Sequence, residues 1–97
     1  MSIEHVTPAG GNVFADLGFA GQEAENLKIR SNLMIEIRKV ITGRGLRQHD
    51  AAKLFGVSQP RISELVRGKI DQFSIDALVN MLAHAGFQVE VTIPALT

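Results

Sequence analysis

The side chains best suited to recognition chemistry fall in one short stretch of the chain. Gln59 carries the amide that reads adenine through two hydrogen bonds, and Arg61 or Arg67 can donate two hydrogen bonds to O6 and N7 of guanine. Pro60 offers an apolar contact for the methyl group of thymine. Glu64 has two interpretations, because it can accept from cytosine N4 or pair with a neighbouring arginine and orient it. The stretch predicts base-facing contacts from Gln59, Pro60, Arg61, Ser63, Glu64 and Arg67.

A second set of residues is suited to the sugar-phosphate backbone of DNA. Gln48 precedes this stretch and is placed to bond a phosphate or to brace Gln59. Basic side chains make phosphate contacts that fix the register of a protein on DNA but carry no sequence information. Lys53 is as compatible with an ordinary solvated surface as with this role. The sequence predicts phosphate contacts from Arg44, Arg47, Gln48, His49 and Lys69.

The charges of the chain are separated along the sequence, although the formal net charge is zero. All ten basic residues lie between positions 28 and 69, together with three acids, so this window carries a net charge of +7. The seven other acids lie outside it and give −7. Such asymmetry indicates a basic binding surface on a neutral protein, although an unevenly charged, well-solvated helical bundle would look the same.

Two short helices with a tight turn between them must position these side chains. The pattern predicts one helix over Gln48–Phe55 and a turn at Gly56-Val57. Ser58 is a good N-cap for a second helix, Pro60 fits its first turn, and Gly68 ends it after about Arg67. A small residue in the first helix and a glycine in the turn are what a helix-turn-helix needs for close packing.

The second of these helices divides into two faces. Ile62, Leu65 and Val66 form an apolar patch that is predicted to pack inward. The opposite side carries the polar residues, and Gln59 to Arg67 spans roughly 12 Å at helical rise. That length is comparable with the width of the DNA major groove, about 12 Å. We therefore expect this helix to enter the groove by its N-terminus.

The remaining segments predict a helical scaffold around this pair. A long helix is expected from about Gln22 to Thr42, with an apolar stripe at three- and four-residue spacings, and another helix from the N-cap Ser74 to the stop at Gly86. Strict alternation over Phe87–Ile93 predicts a strand that must pair with the N-terminal arm or with a second copy. The expected fold is mainly α, a lambda-repressor-like bundle of four to five helices with a short C-terminal strand. The predicted division is an arm over 1–21, a DNA-binding domain over 22–86, and a strand and tail over 87–97.

Other chemistries find little support in the composition. There are no cysteines, and the three histidines lack the spacing of metal ligands, so no metal or cofactor is expected. No nucleophile–base pair can be argued, and an enzyme is not expected. No apolar run approaches the roughly 18 residues of a membrane span, and no targeting segment is visible. We expect a cytoplasmic protein.

The helix-turn-helix stretch resembles a known family. Residues 46–69 read LRQHDAAKLFGVSQPRISELVRGK, and this pattern is similar to the helix-turn-helix of the XRE family of phage Cro-type repressors. Residues 11–19, GNVFADLGF, resemble a bacterial subgroup of that family, often antitoxins of the HigA type paired with a RelE-like toxin. The family often has Thr or Ser where Arg47 stands, so the resemblance implies that an N-cap is lost here.

The resemblance implies a homodimer on an inverted-repeat DNA operator, repression of the chain's own promoter, and neutralisation of a RelE/HigB-like toxin. It supports Gln48 as a phosphate contact and the residues after Ser58 as base-facing. Two alternatives stay open. In the first, the chain would be a stand-alone or phage-derived regulator without a toxin. In the second, it would be a protein-interaction module whose basic helices bind an acidic partner.

Overall fold

The structure, a computed structural model, describes residues 2–3 and 21–93. Most of the predicted N-terminal arm, including the motif at 11–19, and the tail at 94–97 lie outside these residues. As predicted, the described fold is mainly helical. Its elements in chain order are β1 (Ser2–Ile3), α1 (Gly21–Gly43), α2 (Gln48–Phe55), α3 (Gln59–Val66), a 3-10 turn (Ile70–Gln72), α4 (Ile75–His84) and β2 (Glu90–Val91).

Helix α1 supplies one wall of the core. Its predicted apolar stripe is confirmed, since Leu33, Met34, Ile37 and Ile41 are buried. Glu23 lies in its first turn, where the helix dipole favours a negative charge. Packing of one stripe of α1 against the other helices leaves its opposite side to solvent, and Ile35 is 45% exposed there.

The three shorter helices close the core from the other side. Ala51, Ala52 and Phe55 of α2 are buried, as are Ile62 and Leu65 of α3 and Leu78, Met81 and Leu82 of α4. Ser74 caps α4 as predicted, because its Oγ accepts a hydrogen bond from the backbone N–H of Ala77 at 3.1 Å. Gly86 follows the helix with φ +91°, a value that favours glycine.

The connection between α3 and α4 is tied to the bundle by Phe73 and Arg30. Phe73 is 1% exposed and belongs to the core. The Arg30 guanidinium on α1 donates from Nη1 to the backbone oxygens of Ile70 at 3.1 Å and Phe73 at 3.5 Å. This basic residue therefore has a structural role, because it satisfies carbonyl groups of a short connection.

The C-terminal strand is shorter than predicted. Of the alternating segment 87–93, only Glu90–Val91 forms a ladder, in parallel with Ser2–Ile3. Pairing with the N-terminal arm, one of the two predicted partners, is therefore present. On the side toward α4 the ladder does not include Val89, which is partly buried against the core.

No helix among the described residues is both long enough and apolar enough to cross a membrane.

Candidate nucleic-acid interface

The turn between α2 and α3 sets the angle of the two helices. Gly56 has φ +69°, the left-handed conformation that favours glycine, and its N–H bonds to the carbonyl of Ala52. A Cβ atom at Gly56 would lie 2.8 Å from three ring atoms of His84 on α4. The His84 Nδ1 atom lies 3.0 Å from the Leu54 oxygen, so its N–H donates to the last turn of α2. The turn is therefore fixed by backbone conformation and by the close packing of α4.

The N-termini of α2 and α3 differ in their capping. Ser58 caps α3, because its Oγ accepts from the backbone N–H of Arg61 at 3.4 Å, and Pro60 lies in the first turn. Arg47 precedes α2 and makes no side-chain capping bond, as the family resemblance implies. Asp50 lies in the first turn of α2, where its charge suits the helix dipole.

The inner face of α3 is smaller than predicted. Ile62 and Leu65 are both 0% exposed, which anchors the helix to the core. Val66 was expected to pack with them, and this is wrong, because its side chain is 36% exposed. Val66 is the last residue of α3, and the positions that point into the core at its end are taken by Ile62 and Leu65.

The outer face of α3 is exposed at both ends and half-buried in the middle. Gln59 and Pro60 at its start and Arg67 at its end are exposed, while Ser63 and Glu64 are half-buried. The Arg67 Nε atom donates to the backbone oxygen of Ser63 at 3.3 Å, which holds the arginine along its own helix. A surface with polar groups at both ends and no covering element in the described residues is accessible to a large partner.

Gln59 is held by a neighbour on α2. Its Nε2 atom lies 3.2 Å from Nδ1 of His49, across the helix-turn-helix. The sequence offered Gln48 as the residue that braces Gln59, but the structure places His49 there. Both partners are exposed, so the contact lies on the surface that α3 presents.

Arg61 points along the protein surface toward the connection between α3 and α4. Its guanidinium carbon lies 4.1 Å from the centroid of the Phe73 ring, and Nη1 donates to the Gln72 oxygen at 3.0 Å. Nη1 also lies 3.7 Å from a carboxylate oxygen of Glu64, which matches the predicted pairing at three-residue spacing. The side chain is 35% exposed. Base reading by Arg61 stays a prediction, and it would require some of these contacts to be exchanged.

The predicted phosphate contacts all lie on exposed positions. Arg44 stands over the Phe87 ring with its guanidinium carbon 5.6 Å from the centroid, which places it between α1 and the C-terminal segment. Arg47, Gln48 and His49 surround the N-terminus of α2, and Lys69 follows α3. Their phosphate role stays a prediction. The exposed residues are Arg44, Arg47, Gln48, His49 and Lys69.

The described part of the chain contains no group of three or more His, Asp or Glu side chains placed to hold a metal ion.

Two features of this surface were missed by reasoning from the sequence. The first is Phe73, the platform for Arg61, which stands in a polar connection between Gln72 and Ser74. An aromatic residue in such a setting is a signal for burial, but it does not reveal which cation will stack on it. The second is the contact of His49 with Gln59. The only signal for it in the sequence was that His49 falls in the first turn of α2.

Comparisons with known proteins agree with this geometry. A protein-family model described as a helix-turn-helix domain matches residues 13–94, a range that contains α1 to α4. The match extends over more than half of the chain. No curated protein matches it.

Proposed function

Because this chain belongs to the helix-turn-helix domain family, we propose that it is a sequence-specific DNA-binding transcriptional regulator that acts as a homodimeric repressor. The observation that carries the proposal is the division of α3, with Ile62 and Leu65 fully buried and Gln59, Pro60 and Arg67 exposed on the other side. A helix anchored in this way can lie in the major groove without disturbing the core.

The base-reading residues proposed for this helix are those of its outer face. Gln59 and Pro60 lie at the N-terminal end, which enters a major groove first in helix-turn-helix proteins. Ser63, Glu64 and Arg67 follow at helical spacing. Arg61 belongs to the proposed set with a second role, because its contacts with Gln72 and Phe73 also hold the neighbouring connection in place.

The proposed phosphate contacts flank this helix on both sides. Arg47, Gln48 and His49 lie where α2 begins, and Arg44 and Lys69 lie before and after the helix-turn-helix. The net charge of +7 over residues 28–69 supports attraction to a polyanion. Contacts of this kind position the protein and leave discrimination between sequences to α3.

The more specific proposal is an antitoxin that represses its own promoter and neutralises a RelE-like toxin. It rests on the resemblance of residues 46–69 to the XRE family and of residues 11–19 to a subgroup of that family, often antitoxins of the HigA type. A stand-alone or phage-derived regulator is the alternative. Co-expression with the product of the neighbouring gene tests between them, since an antitoxin should co-purify with that product and relieve its toxicity, whereas a stand-alone regulator should do neither.

The experiment for DNA binding is footprinting on the DNA upstream of the protein's own gene, followed by a titration of affinity against salt. A regulator should protect one short inverted repeat and prefer it to random duplex. The logarithm of its binding constant should fall with the logarithm of salt concentration at about −0.9 for each phosphate neutralised. Equal affinity for the repeat and for random duplex would overturn the proposal and favour a protein-interaction module.

A further inference from the structure

The solvent side of α1 carries basic and apolar groups that the proposed DNA contacts do not use. α1 contains four of the ten basic residues of the chain, and of these Arg30 is bound to the connection after α3. Five residues at three- and four-residue spacings lie on one side of the helix, and we call them the basic face of α1. They are Ser31, Ile35, Arg38, Lys39 and Thr42.

Two cavities, both open to solvent, lie side by side on the basic face. The first has a volume of about 420 Å³ and is lined by residues of α1, from Ile35 to Gly43. The second, of about 330 Å³, lies between α1 and the connection after α3, where Gly68 and Ile70 line it. Ile35 and Arg38 border both cavities. An exposed isoleucine with a hollow on each side forms a ridge between grooves, a shape into which the side chains of another helix fit.

The charge beside this ridge is positive. Lys39 lies 3.6 Å from a carboxylate oxygen of Glu36, in an exposed pair at three-residue spacing. Arg38 has no ion-pair or hydrogen-bond partner among the residues that the structure describes. The face therefore offers an available guanidinium next to an apolar side chain.

We propose that the basic face of α1 binds an acidic amphipathic helix of a partner protein. A large apolar side chain of that helix packs against Ile35 in the cavities, while Asp or Glu side chains about one turn away pair with Arg38 and Lys39. The inference goes beyond the proposed function, because it assigns a second binding surface on α1 in addition to the DNA surface on α3.

Two other occupants match the face less well. DNA phosphates pair with Arg38 and Lys39, but they offer no apolar surface to Ile35. A second copy of this chain, joined through the same face, would bring the basic side chains of the two copies together, which is unfavourable. A helix that is apolar at its centre and acidic at its flanks complements both the shape and the charge.

The experiment titrates the full-length chain into a fluorescently labelled synthetic peptide and follows fluorescence polarisation. The peptide forms about five helical turns, with leucine along one side and glutamate on both flanks. A second peptide has lysine in place of glutamate. The glutamate peptide should bind at least tenfold more tightly than the lysine peptide, and added salt should reduce the difference.

Variants of the basic face should change this affinity in defined directions. Ile35→Ser should weaken binding of the glutamate peptide about tenfold, because an apolar contact is lost. Arg38→Glu should weaken it about fivefold, as expected for one exposed ion pair replaced by a repulsion. Arg38→Glu should also bind the lysine peptide more tightly than the unaltered chain does, an effect that a loss of folding would not produce.

Val66→Ser and Lys53→Glu are the matched controls. Val66 and Lys53 are exposed on α3 and α2, and neither borders the two cavities. Both variants should bind the glutamate peptide as the unaltered chain does. Equal affinity of the unaltered chain for the two peptides would overturn the proposal, and so would losses in Ile35→Ser and Arg38→Glu no larger than those of the controls.

Two further measurements detect the other occupants. If Ile35→Ser converts a dimer to a monomer in sedimentation velocity, the face binds a second copy and the proposal is wrong. If Arg38→Glu weakens binding to random duplex DNA as much as Lys69→Glu does, the face contacts phosphates and the proposal is likewise wrong.

Failure of this inference is distinguishable from failure of the proposed function, because the peptide titrations contain no DNA. A chain that binds the glutamate peptide but prefers no operator would retain the second surface and lose the regulatory role. A chain that prefers one operator but does not distinguish the two peptides would retain the regulatory role alone.

Discussion

The two faces of α3 belong to one helix, about 10–12 Å across with its side chains, yet they differ sharply in burial. The inner face, Ile62 and Leu65, is inaccessible to solvent and holds the helix to the core. The outer face, from Gln59 to Arg67, contributes little to the core and is open to a partner. The difference teaches that side chains on one helix of eight residues fall into separate groups, whose substitution should alter separate observables.

Leu65→Ala tests the inner face and has the largest expected effect. Removal of a fully buried leucine leaves a cavity, and the free energy of unfolding should fall by about 2–5 kcal/mol. The adjacent Val66→Ala is the control, because its side chain is 36% exposed and the loss should stay below about 1 kcal/mol. Urea denaturation measures both values. Equal losses would mean that the two side chains are not separated by burial as described.

Gly56→Ala tests the turn between α2 and α3, which sets the orientation of α3. A non-glycine residue in the left-handed region costs about 1–2 kcal/mol, and the new Cβ would also meet the His84 ring at 2.8 Å. We expect a loss of about 2–3 kcal/mol in the free energy of unfolding, because the exposed His84 ring must also move and its hydrogen bond to the Leu54 oxygen is disturbed, which adds about 1 kcal/mol. Gly45→Ala has a similar φ of +61° with nothing within 4 Å, so it should show the backbone cost alone.

His84→Ala provides a further check on that turn. In the double substitution with Gly56→Ala, the clash is absent, and the combined loss should be smaller than the sum of the two single losses. Additive losses, measured by the same denaturation experiment, would show that contact with the His84 ring does not contribute to the cost of Gly56→Ala.

The boundary between the two faces is tested by comparing Arg61→Ala with Arg67→Ala. Arg61 donates to the Gln72 oxygen and stacks on Phe73, so its loss should reduce the free energy of unfolding by about 1–2 kcal/mol. It should also weaken specific DNA binding by about 1–3 kcal/mol and relax discrimination at one base position. Arg67→Ala should weaken binding while unfolding stays within about 0.5 kcal/mol of the unaltered protein.

Denaturation and competition binding on the same preparations separate these contributions. Unchanged discrimination after Arg61→Ala would leave Arg61 with a structural role alone. A large loss of stability after Arg67→Ala would contradict the assignment of Arg67 to the outer face.

The local features of the helix-turn-helix were predictable because their causes are local. The bounds of α2 follow from the apolar positions and from Gly56, and the start of α3 follows from Ser58 and Pro60. The start of α4 follows in the same way from the cap at Ser74. N-cap residues and left-handed glycines bond to backbone groups only a few residues away along the chain. The sequence alone is therefore sufficient to locate them.

The features that escaped prediction depend on residues distant along the chain or on small differences in direction. Arg61 lies against Phe73 only because the connection after α3 folds back along it, and no spacing rule expresses that path. The choice of His49 over Gln48 as the partner of Gln59 depends on which of two neighbouring side chains points across the turn. Val66 was misplaced because helical periodicity does not show where a helix ends relative to the core.

The ladder between Ser2–Ile3 and Glu90–Val91 has a consequence for the order of folding. Each pair, such as Ser2 with Glu90, is 88 positions apart, so the ladder closes a loop that contains nearly the whole chain. Closing a loop of that length in an unfolded chain costs about 4 kcal/mol of entropy, more than a two-residue ladder returns at about 1 kcal/mol per hydrogen bond. The ladder can therefore form only after the helices have assembled and brought its two strands together, which makes it a late event in folding and an early one in unfolding.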